Sequence, residues 1–297
     1  MDGLLLVDKP SGPTSHDVVM RLRRSSGERS VGHTGTLDPR ATGLLPLVFG
    51  RATRLASLIA GGDKTYEAVI RLGVATDTDD ADGRPLRDVA AALPTAGDIE
   101  AALAGYRGTF DQLPPTHSAK KVAGQKAYDL ARREKPVELR PVPVTVRALE
   151  CLSCEGDLVG VRVTATSGFY VRALARDLGQ SLGCGAHLQA LRRTGSGPFD
   201  VAGAIGLEEA EALGQDVAGR LLSPMEALPD LVAVTLTETG LKRALHGNSL
   251  GPEHLEGRVV PAGPAARRPV RVAAPDGRLV ALAHARGGAL HPVVVLG

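Results

Sequence analysis

Apolar and polar residues along this chain follow two periods, one typical of strands and one typical of helices. Residues 66–72 alternate between the two kinds of side chain, which predicts a strand with one buried face. The short apolar run 3–7 predicts another strand. The runs 142–152 and 158–166 predict a strand pair around a Glu-Gly-Asp turn at 155–157.

Other segments place apolar residues three or four positions apart, as amphipathic helices do. These segments are 16–24, 52–59, 99–106 and 170–182. Ser15 precedes the first segment and is predicted to cap it, and two glycines at 61–62 end the second. The last segment is the most regular, with five apolar side chains on one face: Val171, Leu174, Ala175, Leu178 and Leu182.

A domain boundary is predicted near Leu228-Pro229-Asp230, which divides the chain into residues 1–229 and 230–297. Beyond it, short segments predict a small β-rich module. Its predicted elements are a strand at 232–236, a helix at 237–245, a hairpin of 270–274 and 278–283, and a last strand at 292–296. The pattern alone does not indicate what this module does.

The composition is that of an ordinary globular protein with room for one large domain or two unequal ones. Of 297 residues, 43% are hydrophobic and 23% are charged, and the formal net charge is only +2. Nucleic-acid binding would therefore depend on local basic clusters rather than on an overall field. The first apolar run is too short for a signal peptide, and no run approaches a membrane span. We expect a cytoplasmic protein without membrane contact.

The cysteines have a spacing that superficially resembles a zinc site. Cys151 and Cys154 form a CxxC, and Cys184 with His187 forms a CxxH. Cys151 lies in a predicted strand, however, where residues three apart point to opposite faces and are poorly placed to share one metal. We expect free reduced thiols and no metal, in keeping with a reducing compartment. A zinc-stabilised RNA-binding module is the alternative, which metal analysis would test.

The most informative segment is the loop at 32–46, GHTGTLDPRATGLLP, which contains a single acid, Asp38. Its glycines permit close backbone approach, and the proline after the acid restricts the backbone there. The loop therefore suits a rigidly held functional carboxylate. The plain alternative is a turn-rich connector with a solvated aspartate. A phosphate-binding loop is excluded because the required lysine after the second glycine is missing.

Other polar clusters also bear on function. Residues 77–83 are acidic and predict a solvated turn rather than a calcium site, because no glutamate closes the loop at the EF-hand spacing. Residues 114–126, in an insertion at about 110–140, include Lys120 and Lys121 and suit a phosphate backbone. A solvated loop is the alternative there. Paired arginines such as Arg192-Arg193 are interpreted as a solvated helix face.

Several separated motifs together resemble the TruB type of bacterial tRNA pseudouridine synthases over nearly the whole chain. In order, they are LLLVDKPSGPTS (4–15), GHTGTLDPRATGLLP (32–46), DKTY (63–66), LGVATDTDDADG (72–83), SAKKVAGQKAYDLAR (118–132), SGFYVRALARDLG (167–179) and GCGAHLQALRRT (183–194). Each motif is a moderate signal, and their joint order and spacing make chance similarity a poor explanation.

The resemblance implies an α+β fold: a curved, mostly antiparallel sheet with flanking helices, and a small C-terminal β domain similar to a PUA domain. It implies an isomerase for the uridine at position 55 in the T loop of tRNA. The family works without cofactor or metal, as a monomer and without an obligatory protein partner. The reaction breaks the C1′–N1 bond, turns the uracil and joins C1′ to C5. The family's essential carboxylate corresponds to Asp38, which would attack C1′ or C6 or act as a base on the sugar.

Two further residues are implied to assist Asp38. A free aspartate titrates near about 3.9 and burial beneath a base would raise its pKa, so a cationic partner should keep it charged. The resemblance offers Arg172, whose guanidinium can bind a carboxylate through two hydrogen bonds. Tyr66 matches the family's active-site tyrosine, which can stack on uracil and assist loss of the C5 proton. Considered alone, Arg172 would be a surface helix cap and Tyr66 a core or rim residue.

The target uridine must also be flipped out of the folded T loop, at a cost of about a few kcal/mol. Stacking on an aromatic ring returns about 1–3 kcal/mol per base, so other groups must contribute. The resemblance nominates His33 as the wedge that fills the vacated space, Tyr170 and Leu191 as walls of the uracil pocket, Lys9 as support for the aspartate, and Asp80 as a neighbour of the RNA.

Two other functions are kept as alternatives. A guide-RNA-dependent pseudouridine synthase shares the catalytic motif but depends on partner proteins, and it usually lacks the basic insertion at 114–133. The other alternative is a tRNA-folding or RNA-binding protein whose catalysis is incidental. An inactive binder should have lost Asp38, Tyr66 or Arg172, and all three are present.

Overall fold

The computed structural model describes residues 1–86, 92–116, 121–122, 125–126 and 139–297, with the backbone alone at 121–122, 125–126 and 265–266. The strands, in chain order, are β1 (Gly3–Lys9), β2 (Val31–His33), β3 (Thr42–Phe49), β4 (Lys64–Leu72), β5 (Gly108–Gln112), β6 (Lys121–Val122), β7 (Gln125–Lys126), β8 (Val142–Glu155), β9 (Leu158–Ala165), β10 (Ala186–Ser196), β11 (Phe199–Asp200), β12 (Ile205–Gly206), β13 (Ala233–Thr235), β14 (Val270–Ala273), β15 (Leu279–Arg286) and β16 (Ala289–Val295). The α-helices are α1 (Ser15–Ser26), α2 (Ala56–Ala60), α3 (Ala96–Ala104), α4 (Val171–Ser181), α5 (Leu207–Ala212) and α6 (Glu238–Leu245).

Ten of the described strands form one large sheet. Its main path is β12-β1-β3-β10-β4-β9-β8-β5, and β2 and β11 pair with β3 and β10 at its sides. Most neighbours are antiparallel, whereas β1 pairs with β12, and β3 with β10, in parallel. A mostly antiparallel sheet with helices packed on it confirms the predicted α+β class.

The strand β10 lies near the middle of the sheet, although the hydrophobic pattern did not predict it. It pairs with β4 along most of its length, and the register shifts between Leu188 and Ala190 and again between Arg193 and Gly195. Such bulges break the two-residue period on which strand prediction depends. The interpretation of Arg192-Arg193 as a helix face is therefore wrong, because both residues lie on this strand.

Helix α1 shows how local polar groups set an element's first residue. Its N-cap is Thr14 rather than the predicted Ser15, because Thr14 and Asp17 form a reciprocal capping box. Ser15 is already helical and buried. Its hydroxyl oxygen accepts a hydrogen bond from the Leu37 N–H at 2.8 Å, so it anchors the loop that carries Asp38.

The core of the large sheet has two parts. One packs α3 and α4 against β4, β8, β9 and β10, and the other packs α1 and α5 against β1 and β3. Tyr66 and Leu191 contact both parts. These two side chains therefore lie at the seam between the two cores.

The C-terminal strands form a separate sheet in the order β13-β14-β15-β16, with α6 packed beside it. A third apolar cluster joins this sheet to the large one: Leu279, Leu282 and Leu296 pack with Leu4 and Val48. Within the described ranges, no helix is both long and apolar enough to cross a membrane.

Candidate active site

Asp38 lies in the loop between β2 and β3, on the wall of a cavity of about 280 Å³. Its Oδ2 is 3.1 Å from Nε of Arg172. The Arg172 side chain is only 8% exposed, whereas that of Asp38 is 45% exposed. The arginine is thus buried behind the carboxylate, which remains accessible from the cavity.

Arg172 also binds the acidic loop at 77–83. Its Nη1 lies 3.5 Å from Asp80 Oδ2 and donates to the Thr78 carbonyl at 3.3 Å. This loop docks on β10, since the Leu188 N–H donates to Asp79 O at 2.9 Å. The acidic loop, which was predicted to be a solvated turn, is therefore partly buried. One arginine at the start of α4 therefore connects Asp38 to the acidic loop at 77–83, which is distant in sequence.

The electrostatic balance at Asp38 favours the protonated form more than in water. Burial raises the pKa of Asp38 above its ordinary value of 3.8, and the nearby Asp80 raises it further. Arg172 and Lys9 act in the opposite direction. The arginine thus offsets part of the penalty of burying a carboxylate.

Lys9 supports the Asp38 loop by binding backbone carbonyl oxygens with its side chain. The side chain is fully buried at the end of β1, and its ammonium donates to the carbonyl oxygens of Pro10, Pro39 and Ala41 at 2.9, 3.0 and 2.7 Å. Burial lowers the pKa of Lys9 to about 8, although the Asp38 carboxylate opposes this shift. Two of the three acceptors, Pro39 and Ala41, follow Asp38 closely in the chain, so Lys9 holds the backbone on the C-terminal side of Asp38.

Arg193 also holds this loop, and it was not among the residues nominated from the sequence. Its guanidinium is 1% exposed and donates to the carbonyls of Leu44, Gly35 and Thr36 at 2.6, 3.2 and 3.4 Å. It also interacts with the Tyr66 side chain. Gly43 is required beside it, because its φ is +100° and a Cβ there would lie 2.2 Å from the Arg193 carbonyl oxygen.

Lys64 is a second buried cation that was not nominated. It lies on β4 two residues before Tyr66, lines the cavity and donates to the carbonyls of Ala60 and Gly62 at 3.0 and 2.6 Å. Burial and the neighbouring Arg193 together lower its pKa to about 8. The sequence offered one signal for Lys64: it precedes Tyr66 by two residues, and residues two apart on a strand share a face.

Five of the nominated residues line the cavity: Asp38, Tyr66, Tyr170, Arg172 and Leu191. Tyr66 and Arg193 are direct cross-strand partners on β4 and β10, and Leu191 pairs with Ala68. Tyr170 is the N-cap of α4, and its backbone N–H and C=O both bond the Gln112 side chain. Strand pairing and the two hydrogen bonds between Gln112 and the Tyr170 backbone therefore bring these side chains together.

The remaining nominated residues lie around the cavity or outside the part of the chain that the structure describes. Asp80 lines a smaller adjoining cavity, which Asp38, Arg172 and Leu191 also line. His33 ends β2 directly before Thr34, the first loop residue that lines the main cavity. Lys120 lies outside the described residues, as does the side chain of Lys121, whose backbone is in β6.

Comparison with known proteins identifies the family. The chain matches the TruB family pseudouridylate synthase N-terminal domain over residues 23–171 and the tRNA pseudouridylate synthase B C-terminal domain over residues 172–228. Two relatives are each named tRNA pseudouridine synthase B. The one from Solibacter usitatus is 41% identical and covers 100% of both chains, and the one from Burkholderia mallei is 44% identical over 98% of this chain and 96% of the relative.

A solved structure has a similar fold. The crystal structure of a Cbf5-Nop10-Gar1 complex matches with a TM-score of 0.76 and 26% identity, covering 99% of this chain and 85% of that one. The fold and the matched models define a pseudouridine synthase. The chain belongs to the TruB family.

Proposed function

We propose that this protein isomerises the uridine at position 55 in the T loop of tRNA to pseudouridine, with Asp38 as the essential carboxylate. The tRNA pseudouridine synthase names of its full-length relatives support the reaction and the substrate class. The observation that carries the assignment of the site is the ion pair between Asp38 and the buried Arg172 on the cavity wall.

The size of the cavity supports a single nucleobase as its occupant. An engineered protein cavity of about 150 Å³ accommodates benzene. At about 280 Å³, the cavity beside Asp38 has room for one uracil and part of its ribose. We propose that the uridine enters it flipped out of the T loop.

Arg172 and Tyr66 are proposed to act on Asp38 and on the base, respectively. Attack on C1′, attack on C6 and proton removal from the sugar all require an ionised carboxylate directed into the cavity. Arg172 favours that ionised form and restricts its orientation. The Tyr66 ring stacks on uracil, and its hydroxyl lies near the Arg193 guanidinium, which stabilises developing negative charge when the C5 proton leaves.

The remaining nominated residues are proposed to bind RNA or to position other groups. His33 fills the space that the flipped base leaves, and Tyr170 and Leu191 hold the uracil. Asp80 orients Arg172 near the RNA, Lys9 holds the loop, and Lys120 and Lys121 contact phosphates. We assign residues 1–229 to catalysis and the C-terminal sheet to a PUA-like RNA-binding domain.

The direct test uses purified protein and an unmodified tRNA transcript, with pseudouridine mapped by position. We expect product at the T-loop uridine without added guide RNA, metal or partner protein. A transcript with cytidine at that position is the control and should yield no pseudouridine. A requirement for a guide RNA or a second protein would contradict the proposal and favour the guide-dependent alternative. Light scattering of the active sample tests the expected monomer.

The activity should also fall in acid. Asp38 must be ionised, and its pKa in the folded protein is raised, so the fraction of active enzyme decreases as the pH falls through a value above 3.8. We expect an acidic limb in kcat/KM, which reports the groups of the free enzyme, with a midpoint above that of a free aspartate. Circular dichroism at each pH would separate this limb from unfolding. A kcat/KM that stays constant down to pH 4 in folded protein would contradict the assignment.

A further inference from the structure

The CxxC pair of β8 has a geometry that the two-residue strand period does not predict. The register of β8 against β9 shifts between Cys151 and Ser153, so this stretch contains a β-bulge. Cys151 pairs with Val161 and Cys154 pairs with Val159. These two valines are two residues apart on β9 and share a face, and therefore the two cysteines do so as well.

The bulge brings the sulfur atoms together. The Sγ atoms of Cys151 and Cys154 are 3.4 Å apart, and the three cysteines of the chain, all within the described residues, are free thiols. The two side chains lie on one face of the strand, so the prediction that they point to opposite faces is wrong. A disulfide has an S–S distance of about 2.05 Å, so the bond would need an approach of roughly 1.4 Å.

The surroundings favour a dithiol over a metal site. Structural zinc requires four ligands, and within the described ranges no group of three or more His, Cys, Asp or Glu side chains is placed to hold a metal. Cys154 is exposed, whereas Cys151 is partly covered and packs against the core beside β9. A reagent from solution therefore reaches Cys154 first, with Cys151 directly behind it.

We propose that Cys151 and Cys154 form a reversible redox site, which a small disulfide such as oxidised glutathione converts to an intramolecular disulfide. The Cys154 thiolate attacks one sulfur of the small disulfide, and one glutathione thiolate leaves. Cys151 then loses its proton to solvent and its sulfur attacks Cys154 Sγ, which releases the second glutathione. Two protein thiols are oxidised by two electrons, and one small disulfide is reduced to two thiols.

The bond should be easily reduced because Cys154 is exposed and because the strand spacing lies near the upper end of the range of disulfides. Two ladder positions along a strand span about 6.5 Å. This is close to the upper end of the Cα–Cα range of disulfides, about 4.4–6.8 Å. Strained and exposed disulfides have more oxidising reduction potentials than buried structural ones. They are therefore reduced more readily, as a reversible redox site requires.

The second step should be slow at neutral pH. Burial and the neighbouring Cys154 raise the pKa of Cys151 to about 11, so little of it is thiolate at pH 7. The rate of disulfide closure should therefore increase as the pH rises from 7 to 9. Cys184 lies apart from the pair, after α4, and serves as an internal reference thiol.

The test incubates the full chain with oxidised glutathione and counts thiols by alkylation and intact mass. Wild type should lose two of three alkylatable thiols and two hydrogen masses, and peptide mapping should place the bond between Cys151 and Cys154. Cys184→Ser should lose the same two thiols. Cys151→Ser should instead retain a glutathione adduct on Cys154, because no second thiol resolves it.

The outcomes that overturn the proposal come from wild-type protein, so they do not depend on a variant that folds. They are three thiols that remain alkylatable at pH 8, a stable glutathione adduct without closure, or a bond that mild reduction with dithiothreitol fails to open.

Discussion

Replacement of Asp38 by asparagine is expected to abolish pseudouridine formation and to leave tRNA binding within about tenfold of wild type. The change retains the shape of the side chain but removes the charge that faces Arg172. Loss of a nucleophile or general base costs about 10²–10⁶-fold in rate. The affinity for tRNA should depend mostly on phosphate contacts elsewhere. Single-turnover assays and filter binding with the same transcript measure the two effects separately.

The asparagine variant should also be at least as stable as wild type. The raised pKa of Asp38 means that the folded state binds more protons than the unfolded state between pH 3.8 and the folded-state pKa. The free energy of unfolding therefore falls as the pH rises through that window, and an ionised Asp38 destabilises the fold at neutral pH. Urea unfolding at pH 7 measures this directly.

Asp157→Asn is the matched control for Asp38→Asn. Asp157 is also an aspartate paired with an arginine, Arg71, at 2.8 Å, but it lies in the turn between β8 and β9, away from the cavity, and its arginine partner is 48% exposed. Its substitution should leave the single-turnover rate within about twofold, since exposed ion pairs contribute about 0–1 kcal/mol. If Asp38→Asn retains more than a tenth of the wild-type rate, Asp38 is not the essential carboxylate.

Replacement of Arg193 by lysine should produce the second large effect. A lysine retains the positive charge but cannot reach Leu44, Gly35 and Thr36 together, as the planar guanidinium does. Each buried carbonyl left without a donor costs about 1–3 kcal/mol. We expect the free energy of unfolding to fall by about 2–5 kcal/mol. The single-turnover rate should fall by about 10²-fold, because the loop that positions Asp38 loses its support.

Arg192→Lys is the control for this substitution because Arg192 is the preceding residue on β10. Its guanidinium is 40% exposed and binds Asp8 through two hydrogen bonds. Its replacement should lower the free energy of unfolding by no more than about 1 kcal/mol. Rates are compared at saturating tRNA and at a temperature where both variants are folded. Equal rates for the two lysine variants would show that Arg193 does not position the catalytic loop.

The example of β10 explains why part of the site could not be predicted from the sequence. Leu191 was nominated from the resemblance, and Arg193 lies two residues later on the same strand. Without a predicted strand there was no reason to place them on one face, and a pair of adjacent arginines is typical of a solvated surface. The bulges that hide the strand period depend on pairing with β4, which is remote in sequence.

The same limit applies to the charged groups around Asp38. The sequence showed that Asp38 is the single acid of a glycine-rich loop, and the resemblance supplied Arg172 as the partner of Asp38. The buried positions of Lys9, Lys64 and Arg193 were not visible, because a lysine or arginine is usually exposed. They are buried here because backbone carbonyls of the loops around Asp38 and before β4 accept their hydrogen bonds.

By itself, the sequence determined the local elements and the chemical groups of this protein. The regular apolar face of α4, the alternation of β4 and the single acid of the loop at 32–46 follow from neighbouring residues, since helix and strand periods are local properties. Only the tertiary structure decided which cations are buried around Asp38 and that Cys151 and Cys154 share a face. Those outcomes depend on strand register and loop docking, which pair residues far apart in the chain and leave no local pattern.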